Sequence, residues 1–158
     1  GNLGTTPKST FATPIAQNNS AIVNVMYTHT QGPWTFGPYV QYTHVPANAD
    51  LGIAHAASTW GGAILAKYTI TPQWSVAGRA EYISSTGTVA NGAPSLLYGP
   101  GSKAWSLTVT PTFQKKIWFV RGELAYVKVI DATPGSALGQ NFTDTSQVRA
   151  AVETGLLF

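Results

Sequence analysis

The sequence contains no cysteine, which excludes a disulfide framework, a thiolate nucleophile and a cysteine-ligated zinc. Charge is almost as scarce. Asp, Glu, Lys and Arg together make up 9% of the 158 residues, against roughly 25% in a typical soluble domain. So few charges leave little to solvate an ordinary outer surface, which favours lipid as the surroundings. No uninterrupted apolar run approaches the roughly 20 residues that a membrane helix requires, so a membrane-spanning form of this chain has to be a β-barrel. The net charge of +3 is spread along the chain without the clustered basic face that nucleic-acid binding needs, and nucleic acid is not an expected partner. No signal-peptide pattern opens the chain at Gly1, so it reads as a mature or excised piece.

What the sequence does have is alternation. Between Trp60 and Tyr82, the positions Trp60, Gly62, Ile64, Ala66, Tyr68 and Ile70 lead to a turn at Thr71-Pro72-Gln73, and Trp74, Val76, Gly78, Ala80 and Tyr82 lead away from it. The interleaved positions are small or charged. Side chains in a strand alternate faces, so this pattern predicts two long strands joined by a tight turn, each with one apolar face. An aromatic residue stands at both ends of each apolar face. The same interval of eight residues separates Trp34 from Tyr42, Trp60 from Tyr68, Trp74 from Tyr82, Trp105 from Phe113, and Trp118 from Tyr126. At roughly 3.3 Å per residue this is about 26 Å of strand. A tilt of roughly 40° shortens it to about 20 Å along a barrel axis, close to the height of the lipid-facing band between the aromatic girdles of an outer-membrane barrel. A soluble sandwich has no reason to keep that interval.

Taken in order, residues 1–19 are rich in Gly, Thr, Asn and Pro and read as an N-terminal loop or weak strand, and residues 20–158 read as transmembrane β-barrel strands. Seven strands are expected: 20–29 (Val23, Val25 and Tyr27 on the apolar face), 34–43, 60–70, 74–82, 102–113, 118–126 and 147–158. Pro38 lacks an amide donor and predicts an edge strand or a bulge. Short turns at 31–33, 71–73 and 114–116 alternate with long polar connections at 46–57, 84–102 and 131–146. Outer-membrane barrels keep short turns on the periplasmic side and long loops outside. The alternation therefore sorts the aromatics into two rims. Tyr27, Trp34, Phe36, Tyr68, Trp74, Phe113, Trp118 and Phe158 fall at the short-turn rim, and Tyr42, Trp60, Tyr82, Trp105 and Tyr126 at the long-loop rim. The expected fold class is all-β: an antiparallel up-and-down transmembrane barrel.

The runs Leu65-Ala66-Lys67-Tyr68 and Thr71-Pro72-Gln73-Trp74-Ser75-Val76-Ala77-Gly78-Arg79-Ala80-Glu81-Tyr82, followed by Tyr98-Gly99-Pro100-Gly101-Ser102 and Trp105-Ser106-Leu107-Thr108, resemble the C-terminal portion of outer-membrane β-barrel porins of the OmpL-like kind. The ending, Gln147-Val148-Arg149 and Glu153-Thr154-Gly155-Leu156-Leu157-Phe158, is similar as well. The resemblance covers about residues 34–158. It implies a place in the outer membrane of Gram-negative bacteria, the lipid bilayer as a partner, and recognition of the terminal Phe158 by the barrel assembly machinery. Members of the family are considerably longer than this chain.

The charged positions Lys67, Arg79, Glu81, Arg121, Glu123, Arg149 and Glu153 all fall in the phase opposite the apolar face. A Lys or Arg facing lipid at mid-membrane costs about 2–4 kcal/mol, so a barrel must turn them inward. There they either line a pore and bias which ions pass, or pair across strands and fill the interior. The histidines His29, His44 and His55 lack the close spacing of a metal site and read as surface residues. Gly99-Pro100-Gly101-Ser102-Lys103 lacks the Gly-Lys-Ser/Thr ending of a phosphate loop, and no serine, histidine and carboxylate are spaced to suggest a hydrolase. Neither a catalytic centre nor a cofactor is expected.

The leading expectation is a passive diffusion porin for small solutes or ions, or the C-terminal part of one. The alternative is a small closed barrel with a structural or adhesive role, its interior plugged by side chains. A soluble ligand-binding barrel would need its apolar face inside and a charged exterior. Many inward positions are small, among them Gly61, Ala63, Ser75, Ala77, Ser106, Thr108, Thr110 and Thr112. They would underfill an eight-stranded barrel and suit a wider one. An eighth strand would have to come from residues 5–17, where two prolines interrupt any alternation. The expectation is therefore that this chain forms the C-terminal part of a wider barrel, with its first strand pairing with sequence beyond it or with another chain in a homo-oligomer.

Overall fold

The computed structural model describes residues 2–5 and 20–157, the first of these stretches by its backbone alone. The strands are β1 (Asn2–Thr5), β2 (Ala21–Met26), β3 (His29–Gln31), β4 (Trp34–Val45), β5 (Ala57–Thr69), β6 (Trp74–Ser85), β7 (Lys103–Lys115), β8 (Trp118–Ile130) and β9 (Ser146–Leu156). They form one antiparallel sheet in the order β1-β2-β4-β5-β6-β7-β8-β9, with β3 also against β4. Each long strand pairs with the next in sequence, which is an up-and-down meander. The only helical turn among the described residues is a short 3-10 segment, Ala49–Leu51. The eight-strand path is one longer than the sequence pattern predicts, and the expected partner of the first strand is corrected: Asn2–Thr5, ahead of Pro7, pairs with the free side of β2, so that strand finds its neighbour within this chain rather than beyond it. Most of the 5–17 segment and Phe158 lie outside the described residues. Among the described residues β9 pairs only with β8, and the sheet is open between β1 and β9.

The expectation drawn from Pro38 needs correction. It predicts an edge strand or a bulge, yet β4 is interior, with β5 on one side and β2 and β3 on the other, and its register past Pro38 is unbroken. The ring nitrogen of Pro38 faces the β2/β3 side, and the ladder yields there. Met26 pairs with Tyr39 and His29 with Phe36 in one continuous register. Between them Tyr27 N–H donates to Pro38 O at 3.0 Å, and Pro38 has no N–H to return the bond. β2 and β3 are thus one strand interrupted opposite a proline. Pro111 does the same to the β7/β8 ladder, which holds Val109 against Leu124, lapses, and resumes at Thr112 against Arg121.

Register extends the alternation seen in each strand across the whole sheet. Ile64 lies beside Ala80, Ala80 beside Leu107, Leu107 beside Tyr126, and Tyr126 beside Val148. This row belongs to a face that no other part of the described chain covers: Ile64 is 62% exposed and Val152 81%. Such an apolar surface far exceeds what a soluble monomer tolerates. The residues with the least exposure, including Val45, Ala57, Ala104, Val129 and Ser102, join Ile53, Ala93 and Ala137 of the long connections. What core there is lies at the long-loop end, on the other face.

The aromatics fall into the two rims that their spacing predicts. Tyr42 packs at a tilt against Trp60 with ring centroids 4.4 Å apart, and Trp105 likewise against Tyr126 at 5.2 Å. At the short-turn rim Trp34 meets Tyr68 at 4.7 Å, Trp74 meets Phe113 at 5.0 Å, and Phe113 meets Trp118 at 6.0 Å. Each of these contacts joins members of one rim. On the apolar face no charged residue stands between the aromatics of any pair. Lys103 and Lys128 lie just beyond Trp105 and Tyr126, and Lys115 just beyond Phe113. There the lysine stem can lie along apolar surface while the ammonium reaches water.

Candidate functional site

The opposite face carries the polar chemistry, because the pleat sends every second residue there. All seven charged residues singled out above lie on it: Lys67 on β5, Arg79 and Glu81 on β6, Arg121 and Glu123 on β8, and Arg149 and Glu153 on β9. The sheet curves towards this side. Arg79 and Glu81 share the walls of one cavity of about 370 Å³ with Gln147 and Arg149, although β6 and β9 are three strand spacings apart, about 14 Å in a flat sheet.

Six of the seven are joined in ion pairs. Arg121 Nη1 lies 3.4 Å from Glu153 Oε2, directly across the β8/β9 register. Arg149 bonds Glu123 along the diagonal of the same strand pair. Arg79 Nε is 3.6 Å from Glu81 Oε2, two residues along β6. These groups remain partly exposed, so each pair contributes no more than about 1 kcal/mol. Their main consequence is electrostatic, since every pair cancels its own charge in the wall. Lys67, paired by register with Thr35 and Ala77, has no ion-pair partner among the described residues.

Several contributors are invisible to a search for charge alone. Tyr39 donates its hydroxyl hydrogen to Glu81 Oε1 at 3.1 Å across two strands, and Asn24 donates to Gln41 at 3.3 Å. Their phase opposite the apolar positions is the available signal. Leu97 and Tyr98, from the connection after β6, fold onto the polar face and line the 370 Å³ cavity with Arg79 and Arg149. Their placement follows from a knot of short contacts. The buried Ser102 hydroxyl donates to Gly99 O at 2.6 Å, Tyr98 N–H donates to Ser102 Oγ at 3.1 Å, and Thr133 N–H donates to Tyr98 O at 2.9 Å. Gly99 has φ of +107° and its α-carbon faces Thr133 so closely that a Cβ would collide with that side chain. Only glycine fits there.

A second cavity, of about 300 Å³, opens at the short-turn end. Lys67 and Arg121 line it together with Ser75, Thr110, Thr112 and Gln114. The histidines sit elsewhere. His44 Nδ1 is 2.8 Å from Ser58 Oγ beside Tyr42, and His29 stacks on Tyr27 at 6.3 Å.

The family model described as "Putative beta-barrel porin-2, OmpL-like" matches residues 2–158, a longer stretch than the motifs in the sequence mark out. No curated protein and no solved structure matches the chain.

Proposed function

We propose, because this chain belongs to the OmpL-like β-barrel porin family, that it sits in the outer membrane and lets small solutes or ions cross passively through a polar lumen. The observation that carries this reading is the segregation of the two faces. No charge interrupts the apolar face between its aromatic rims, while Lys67, Arg79, Glu81, Arg121, Glu123, Arg149 and Glu153 share the other. Lipid on one side and water on the other account for both halves of that pattern. Diffusion through such a lumen needs neither turnover nor a cofactor.

Backbone groups in hydrocarbon must be satisfied by protein partners, so a membrane sheet closes. The outer edge of β9 therefore pairs with a further strand in the membrane. The small side chains along the inner face, such as Ala63, Ala77, Ser106 and Thr110, support a barrel with room in its interior. The test is reconstitution of the folded protein into planar bilayers. Stepwise conductance that rises with salt concentration is the expected result. A folded, inserted protein that carries no current would instead identify a closed barrel with a structural or adhesive role.

A further inference from the structure

The two ends of the lumen differ in how their cations are balanced. At the long-loop end, Arg79 and Arg149 each hold a glutamate, and Glu81 stands in the cavity wall with them. At the short-turn end the 300 Å³ cavity is lined by two cations and no carboxylate. Arg121 reaches Glu153 at 3.4 Å, but Glu153 is not part of that wall. Lys67 has no ion-pair partner among the described residues, and the rest of the polar lining is hydroxyl and amide: Ser75, Thr112 and Gln114 are examples. Ammonium and guanidinium groups with neutral hydrogen-bonding groups around them are suited to an oxyanion, because charge-assisted bonds from cationic donors are the strong ones.

We propose that the short-turn end of the lumen is an anion-binding site, in which Lys67 supplies the net positive charge and Ser75, Thr112 and Gln114 the neutral hydrogen-bonding groups that hold a small oxyanion, either inorganic phosphate or the carboxylate of an organic solute. It rests on the pore reading for its route of access, and it makes Lys67 the residue that sets ion preference. A partnered charge contributes little field beyond its own pair, whereas an unpartnered one biases every ion that passes it.

The test uses the folded protein in planar bilayers, with potassium chloride gradients for ion preference and inorganic phosphate as the added probe. Wild type is expected to prefer chloride over potassium and to lose chloride current as phosphate is added. Lys67→Gln should abolish most of the preference and raise the half-blocking phosphate concentration about tenfold, the loss of one charge-assisted hydrogen bond. Lys67→Glu should invert the preference. Lys115→Gln, a change on the apolar face beyond its aromatic rim, should alter neither. Acetate that blocks like phosphate, and weakens equally in Lys67→Gln, would show that the site reads the oxyanion charge common to both. A conducting channel whose ion preference and phosphate block are unchanged in Lys67→Gln overturns the site and leaves the pore standing. Should folded wild type carry no current, the pore reading falls alone. Calorimetry with inorganic phosphate in detergent then decides the site: binding lost in Lys67→Gln supports it, and no binding by wild type overturns it. If Lys67→Glu does not assemble, Lys67→Gln carries both readouts.

Discussion

The two faces of this one sheet are made from the same strands and often from adjacent residues, yet they obey opposite rules. Ile64 and Leu65 are neighbours in sequence. Ile64 stands in a row of apolar residues that the described chain leaves open, and Leu65 is paired by register with Arg79. The face bearing Ile64 excludes charge between its rims and keeps Lys103, Lys115 and Lys128 outside them. The other face collects charge and then cancels most of it in pairs. In water the exposed face would be the polar one. The reversal is the pattern that two solvents would select, and on the proposed reading stability resides in the hydrogen-bonded ladders and lipid contact rather than in a central apolar core.

The comparison breaks most sharply if one charge is moved from one face to the other. Ile64→Arg, midway between Trp60 and Tyr68, is expected to destabilise the folded protein in bilayers by about 2–4 kcal/mol. Ser106→Arg, beside Glu81 on the other face, should change stability by about 0.5 kcal/mol or less. Urea titration of the protein folded in lipid vesicles reads both, and equal costs would mean that the faces do not see different solvents. Next in size is Gly99→Ala. A side chain at φ of +107° against Thr133 is strained by on the order of 1–3 kcal/mol, and the connection that seats Leu97 and Tyr98 should become protease-sensitive while the strands stay intact. A smaller effect is expected at the rims. Trp60→Leu removes the ring packed against Tyr42 and should cost about 1 kcal/mol, seen in the same titration. The smallest concerns the pairs: a double-mutant cycle on Arg121 and Glu153 should give a coupling under about 1 kcal/mol, falling as salt rises.

Much of this architecture was legible because it is written with a period of two. Faces, strand bodies, turn lengths and the sorting of aromatics into rims depend on which residues alternate within a strand, and the contacts of Trp34, Trp60, Trp74 and Trp105 follow that sorting. The placement of the seven charges on one face follows for the same reason. What depends on neighbours was less legible. Pro38 announced a missing hydrogen bond but not the side on which it would be missed, and only the β2/β3 pairing shows that an interior strand absorbs it. Arg149 sits opposite Ala125 in register and reaches Glu123 diagonally, so its partner follows from register rather than from spacing along one strand. The seating of Leu97 and Tyr98 rests on bonds between two long connections, which carry no periodicity to read. Tyr39 was visible as an inward residue, but its bond to Glu81 spans strands that only the folded sheet brings together.

The absence of cysteine permits the most direct test of the central claim, that the two faces see lipid and water. Single cysteines placed one at a time from Ser75 to Glu81 along β6, in protein folded into vesicles, can be probed with a membrane-impermeant thiol reagent supplied on both sides of the bilayer. Strict alternation is expected: fast labelling at positions 75, 77, 79 and 81, and protection at 76, 78 and 80. Uniform labelling along the strand, or alternation in the opposite phase, would contradict it.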